Sequence, residues 1–209
     1  MPHAIDFTVL ELLCSRICHD LISPVTAINN GMELLDDDPG EMLNDIRDLL
    51  MNSASEGAGK LQYFRLAYGM GGSPDGEIGI GTMADLGARL DKHSKSTIRW
   101  PADRECMLPR LVAKATMNMV LMAMEALPRG GEIVVEAAPA EVTVTATGQG
   151  ARIEENNLAV LSGEVGLDSL TPRNIQSYFT REVVAAAGGE MAVDAAVDGI
   201  VTFSASIHG

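Results

Sequence analysis

The stretch DFTVLELLCSRICHDLISPVTAINNGMELL, residues 6–35, decides the fold. Its apolar residues at Leu10, Leu13, Ile17, Leu21, Pro24, Ile28 and Leu35 keep the three-and-four spacing of one long amphipathic helix. The segment DDDPG, 36–40, then brings a proline and a glycine that end it. A second periodic run follows through Met42, Ile46, Leu49, Leu50, Leu61 and Phe64. Together they predict an antiparallel helical hairpin over residues 1–70. Two such helices leave their apolar stripes half covered. Pairing with a second copy into a four-helix bundle is the simplest remedy, so a homodimer is expected on packing grounds.

The run GMGGSPDGE, 69–77, holds four glycines and a proline and reads as a linker. Beyond it, over residues 77–209, the pattern changes. Helical periodicity returns at about 80–91 and 108–127, and TPRNIQSYFTREVVAAAGG predicts a further helix ending at a Gly-Gly cap. Short β-branched runs lie between and after these: TIRW at 97–100, EIVVEA at 132–137, EVTVTAT at 141–147 and IVTFSASI at 200–207. Helices mixed with a mainly antiparallel sheet make this part a two-layer α/β sandwich. The expected class is therefore α + α/β.

Length agrees with two domains, since 209 residues exceed the usual single-domain size. Fifteen Lys and Arg stand against 29 Asp and Glu, a formal charge of −14, and such a surface repels a phosphate backbone. Nucleic acid is not an expected partner. No membrane-length apolar run or basic-plus-apolar leader occurs, and Cys14, Cys18 and Cys106 show no secreted framework spacing. These features predict a reduced, cytoplasmic protein away from membranes.

At about 100° per residue, His19 lies about 200° round the first helix from Ile17, so it faces away from the apolar stripe. An exposed neutral imidazole is a good nitrogen nucleophile that can accept a phosphoryl group when an acidic neighbour steadies the ring, and Asp20 is that neighbour. Pro24 removes a helix donor and crowds the Asp20 carbonyl, a disturbance a purely structural helix would avoid. Spacing alone leaves two readings open: a solvated surface pair or a phosphoryl acceptor.

His19-Asp20-Leu21-Ile22-Ser23-Pro24 resembles the H-box of sensor histidine kinases, His-Glu/Asp-x-x-Thr/Asn-Pro, on the first helix of a dimerisation and phosphotransfer hairpin. Ser23 departs from the usual Thr or Asn, which leaves a phosphatase role for that position open. The resemblance implies that the second part is similar to a kinase ATPase domain, yet its nucleotide motifs are lost. Asn118 stands in an N-box-like segment, but Met122 replaces the second Asn, and a thioether is a poor ligand for Mg²⁺. In TATGQG, 145–150, Ala146 replaces the Asp that would hydrogen-bond adenine. Residues 166–170, GLDSL, lack the glycines of a phosphate-cradling lid. A kinase-shaped chain with its histidine kept and its ATP site erased resembles the ChpT family of histidine phosphotransferases. That resemblance implies a relay between receiver aspartates through His19, with Asp20 assisting. It implies the receiver of a CckA-like hybrid kinase as donor and CtrA-like and CpdR-like response regulators as acceptors. Each receiver would bring its own Asp, Mg²⁺ and Lys, so this chain needs neither ATP nor a metal of its own.

Arg16, Ile22, Ser23 and Thr26 share the helical face of His19 and are the candidate receiver contacts, with an exposed Ile22 as the anchor. Cys14, Cys18 and His19 fall within two turns, but two thiols in a helix interface fit better than a metal site lacking a fourth ligand. NSASEGAG, 52–59, fits either close helix packing or a clearing opposite His19 for a docked receiver. His3, His93 and His208 have no company that suggests a role. Two other functions remain as alternatives: a divergent kinase that still binds ATP, and a non-catalytic dimeric scaffold.

Overall fold

A computed structural model describes residues 6–36, 40–69 and 76–207. The turn at Pro39 and most of the 69–77 linker, like His3 and His208, lie outside the described residues.

Helix α1 spans Phe7–Asp36. It starts at a carboxylate cap, Asp6 Oδ1 accepting the Thr8 N–H at 2.8 Å. After one 3-10 turn at Gly40–Met42, helix α2 spans Leu43–Ala67 and packs along α1 to form the expected hairpin. Leu13, Ile17, Leu21, Ile28 and Leu35 are half-buried and Pro24 is buried, as their spacing predicts, whereas Leu10, Leu49 and Leu61 are exposed. The helices approach closely where side chains are small. A Cβ on Gly31 would lie 2.8 Å from Leu50 Cδ2, and one on Gly57 would touch Pro24 Cβ at 3.6 Å. With Ser53 buried and a Gly59 Cβ only 3.2 Å from that of Arg89, the 52–59 run serves close packing.

The remaining elements are β1 (Glu77–Gly79), α3 (Ile80–Asp91), β2 (Ser96–Arg99), β3 (Met107–Pro109), α4 (Arg110–Glu125), β4 (Gly131–Ala138), β5 (Glu141–Thr147), α5 (Glu155–Leu161), α6 (Ile175–Ala186), β6 (Gly189–Asp194) and β7 (Ile200–Ile207). Five strands form one sheet in the order β2-β4-β5-β7-β6, parallel only at β2-β4. Register sets Val144 between Val135 and Phe203, and Ala146 between Ile133 and Val201, so one face is apolar. Helices α4 and α6 cover that face, while Thr143, Thr145, Thr202 and Ser204 look outward from the other. The helix that periodicity predicted at about 108–127 begins at Arg110; residues 107–109 instead pair with β1 in a separate two-stranded ribbon.

Two apolar clusters join the hairpin to the α/β layer. Tyr63, Phe64 and Ala67 of α2 are continuous with the main core of α4 and the sheet. Val9 packs with Val160, Leu170 and Ile175 beside α5 and α6. The open end of the hairpin is therefore embedded, and α1 and α2 leave the layer a few residues on either side of His19 and Lys60.

Candidate active site

His19 stands where α1 emerges, at the rim of a cleft of about 680 Å³ between α1 and the α/β layer. Arg16 and Asp20 line it from α1, Met122 and Glu125 from α4, and Arg152 and Arg173 from the loops before α5 and α6. The His19 side chain is 84% exposed while that of Asp20 is 25% exposed. The ring Nδ1 lies 3.3 Å from Asp20 Oδ1, at the long end of hydrogen-bonding range. A carboxylate can only accept, so this contact favours the tautomer with its proton on Nδ1 and leaves the Nε2 lone pair free.

Asp20 is held on two sides. Its Oδ2 accepts from Arg16 Nε at 3.1 Å, and Arg16 Nη2 donates to the Glu125 carboxylate on α4. Its backbone carbonyl would ordinarily accept the N–H of residue 24, which proline lacks. Lys60 Nζ fills that place at 3.1 Å and also pairs with Glu56 Oε1 at 2.6 Å. Burial opposes ionisation of Arg16, but Glu125 and Asp20 outweigh it and raise its pKa above the ordinary arginine value. Burial pushes the Glu125 carboxyl up, with Arg16 opposing.

The structure brings His19 and Asp20 together and sets Ile22, Ser23 and Thr26 exposed on the same flank. Arg16 is turned inward, its guanidinium committed to Asp20 and Glu125 rather than presented to a partner. Cys14 and Cys18 are exposed free thiols, so they do not lie between α1 and α2. No group of three or more His, Cys, Asp or Glu side chains among the described residues could hold a metal ion, and no described helix is long and apolar enough to cross a membrane.

The residues that resemble a nucleotide site are built into the core instead. Asn118 is fully buried; its Nδ2 donates to the carbonyls of Ala67 at 2.8 Å and Lys114 at 2.7 Å, and its Oδ1 accepts from Gln176 Nε2 at 2.8 Å. Met122 is buried, and Ala146 is buried within the sheet. Residues 167–169 form a single 3-10 turn. Lys60 and Glu125 carry no local signal in the sequence, because each meets α1 from 40 and 109 residues away.

The comparisons with known proteins agree with this architecture. The family model described as the histidine phosphotransferase C-terminal domain matches residues 81–199. The protein phosphotransferase ChpT of Brucella abortus (strain 2308) is 34% identical over 198 residues, covering 93% of this chain and 93% of that protein. A solved bacterial phosphotransferase superposes with a TM-score of 0.81 at 29% identity, covering 99% of this chain and 100% of its own. The chain belongs to the ChpT-type histidine phosphotransferases and is a phosphotransferase of phosphorelays.

Proposed function

We propose that His19 is the phosphoryl carrier, taking the group from the phosphoaspartate of one receiver domain and passing it to the aspartate of another. The observation that carries this reading is the exposed His19 ring with Nδ1 set against Asp20 and Nε2 unengaged. Nε2 attacks phosphorus, the bond from phosphorus to the receiver's carboxylate oxygen breaks, and the electron pair leaves with that carboxylate. The ring becomes an imidazolium whose proton stays on Nδ1, hydrogen-bonded to Asp20, so no proton need move during transfer. Transfer to the second receiver is the reverse step.

The receivers supply Mg²⁺ and lysine, and this chain supplies an oriented imidazole. Ile22, Ser23 and Thr26 form the docking flank, with Ile22 as its apolar anchor, 64% exposed. Phe7, Cys14, Cys18, Val25 and Met32 run as an exposed stripe along α1 about 120° from His19, and Leu43, Ala54 and Leu61 along α2. These stripes support a homodimer through a four-helix bundle, with His19 outside the seam. A cytoplasmic relay from a CckA-like hybrid kinase to CtrA-like and CpdR-like regulators fits the family. The ATP-binding alternative is disfavoured because the Asn118 oxygen is taken by Gln176 and Ala146 offers adenine no acceptor. The scaffold alternative gives no account of the ordered His19–Asp20 contact.

The test mixes the protein with a ³²P-labelled receiver. Acid-labile label on the wild type and none on His19→Ala is the expected result; label on His19→Ala removes His19 as the carrier.

A further inference from the structure

We propose that Glu125 is a positioning residue for phosphoryl transfer, dividing the Arg16 guanidinium so that Asp20 keeps one carboxylate oxygen for His19. This deepens the reading of His19 as carrier and rests on it. Arginine prefers to grip a carboxylate with two N–H groups at once, and the Nε and Nη2 edge is one of the two forks that can do so. Here the fork is split. Nε engages Asp20 Oδ2 at 3.1 Å, and Nη2 turns to Glu125. Oδ1 of Asp20 is left 3.3 Å from His19 Nδ1.

Arg16 and Asp20 are one helical turn apart, and Glu125 is the acceptor that draws Nη2 away from the second Asp20 oxygen. Without that anchor the fork closes on Asp20, Oδ1 rotates toward Arg16, and the histidine loses the acceptor that fixes its tautomer. Glu125 also adds little as a stabilising ion, since its side chain is 35% exposed and ion pairs open to solvent contribute little net stability. The last turn of α4 thereby gives the α/β layer a part in the chemistry: it sets the imidazole through Arg16 and Asp20 without touching it.

The experiment measures single-turnover transfer from a phosphorylated receiver to the full chain, over a range of receiver concentrations, beside ¹⁵N NMR of the His19 ring. Glu125→Met should lower the maximal rate about 10-fold, the size of one hydrogen bond lost. The half-saturating receiver concentration should stay unchanged, and the Nδ1–H signature should give way to a tautomer mixture. Glu125→Gln, which still offers Arg16 an acceptor, should restore most of the rate. In an Asp20→Asn background Glu125→Met should add no further loss, because both act through the same oxygen. If Glu125→Met does not fold, Glu125→Asp retracts the carboxylate by one methylene and is read the same way. An unchanged rate and tautomer, with His19→Ala still unlabelled, overturns this proposal alone; label on His19→Ala overturns the carrier assignment itself.

Discussion

An ammonium N–H of Lys60 on α2 donates to the backbone carbonyl of Asp20 on α1 at 3.1 Å, supplying the hydrogen bond that Pro24 cannot. A proline inside a 30-residue helix would otherwise leave that carbonyl without its helical partner beside the site. The neighbouring helix thus repairs the break at the residue that steadies His19.

Lys60→Met should lower stability by about 1 kcal/mol, the typical net value of one hydrogen bond, as read by urea unfolding. In a Pro24→Ala background the helix regains its own donor, so the same substitution should matter less. Equal losses in both backgrounds would mean that Lys60 acts through Glu56 rather than through the carbonyl.

Ile22 and Val25 are both exposed, at 64% and 60%, but lie about 60° apart round α1, on the His19 side and in the apolar stripe respectively. Ile22→Glu should weaken receiver binding by about 2 kcal/mol, the scale of an interface anchor, with the proposed dimer intact. Val25→Glu should instead dissociate the dimer. Sedimentation and receiver titration of the two variants separate these outcomes, and dimer loss with Ile22→Glu would move that residue into the seam.

Restoring kinase-like residues should not restore nucleotide binding. Ala146→Asp buries an unpaired carboxylate between Ile133 and Val201 and should cost about 3–5 kcal/mol. Met122→Asn leaves Asn118 still bonded to Gln176. Neither variant should show a thermal shift with Mg-ATP, and a clear shift in either would mean that the Asn118 network yields readily.

Glu125 also sets a pH dependence. Its folded-state pKa is raised, so the folded chain holds that proton more tightly than the unfolded one. The stabilising contribution is complete below the ordinary glutamate value of about 4.3 and is lost as pH rises through the raised value. Relative to Glu125→Gln, the wild type should therefore lose stability as pH rises above about 4.3. Urea unfolding of both proteins from about pH 4 upward measures it; a wild-type advantage that grows with pH would reverse the sign.

The sequence made legible whatever depended on a repeating local pattern. The three-and-four spacing gave α1 and α2, and alternation gave β4, β5 and β7, because each buries one continuous face. Strands β1 and β3 are three residues each and exist only by pairing with one another across an intervening helix. Helix α5 has seven residues, too few for a period to show, and β6 is an edge strand of GEMAVD with little β-branched character. Helical spacing put His19 on the polar side, and the resemblance of His19–Pro24 to the H-box singled out His19 and Asp20. The inward turn of Arg16 was not, since the Glu125 that draws it is distant in sequence.

The end of α2 has a consequence for how the molecule operates. Tyr63 Oη donates to the Met117 carbonyl at 2.8 Å, Asn118 binds the Ala67 carbonyl, and Tyr68 Oη donates to Gln176, all within or bordering the shared apolar core. Displacing α2 from α4 would therefore break several bonds in a dry interior at once. Helix α2 and α4 should consequently melt in one transition and exchange their amides together. If His19 relays between receivers as proposed, a junction that stays closed makes the chain a fixed transfer post, with the exchange of one receiver for the next expected to set its pace.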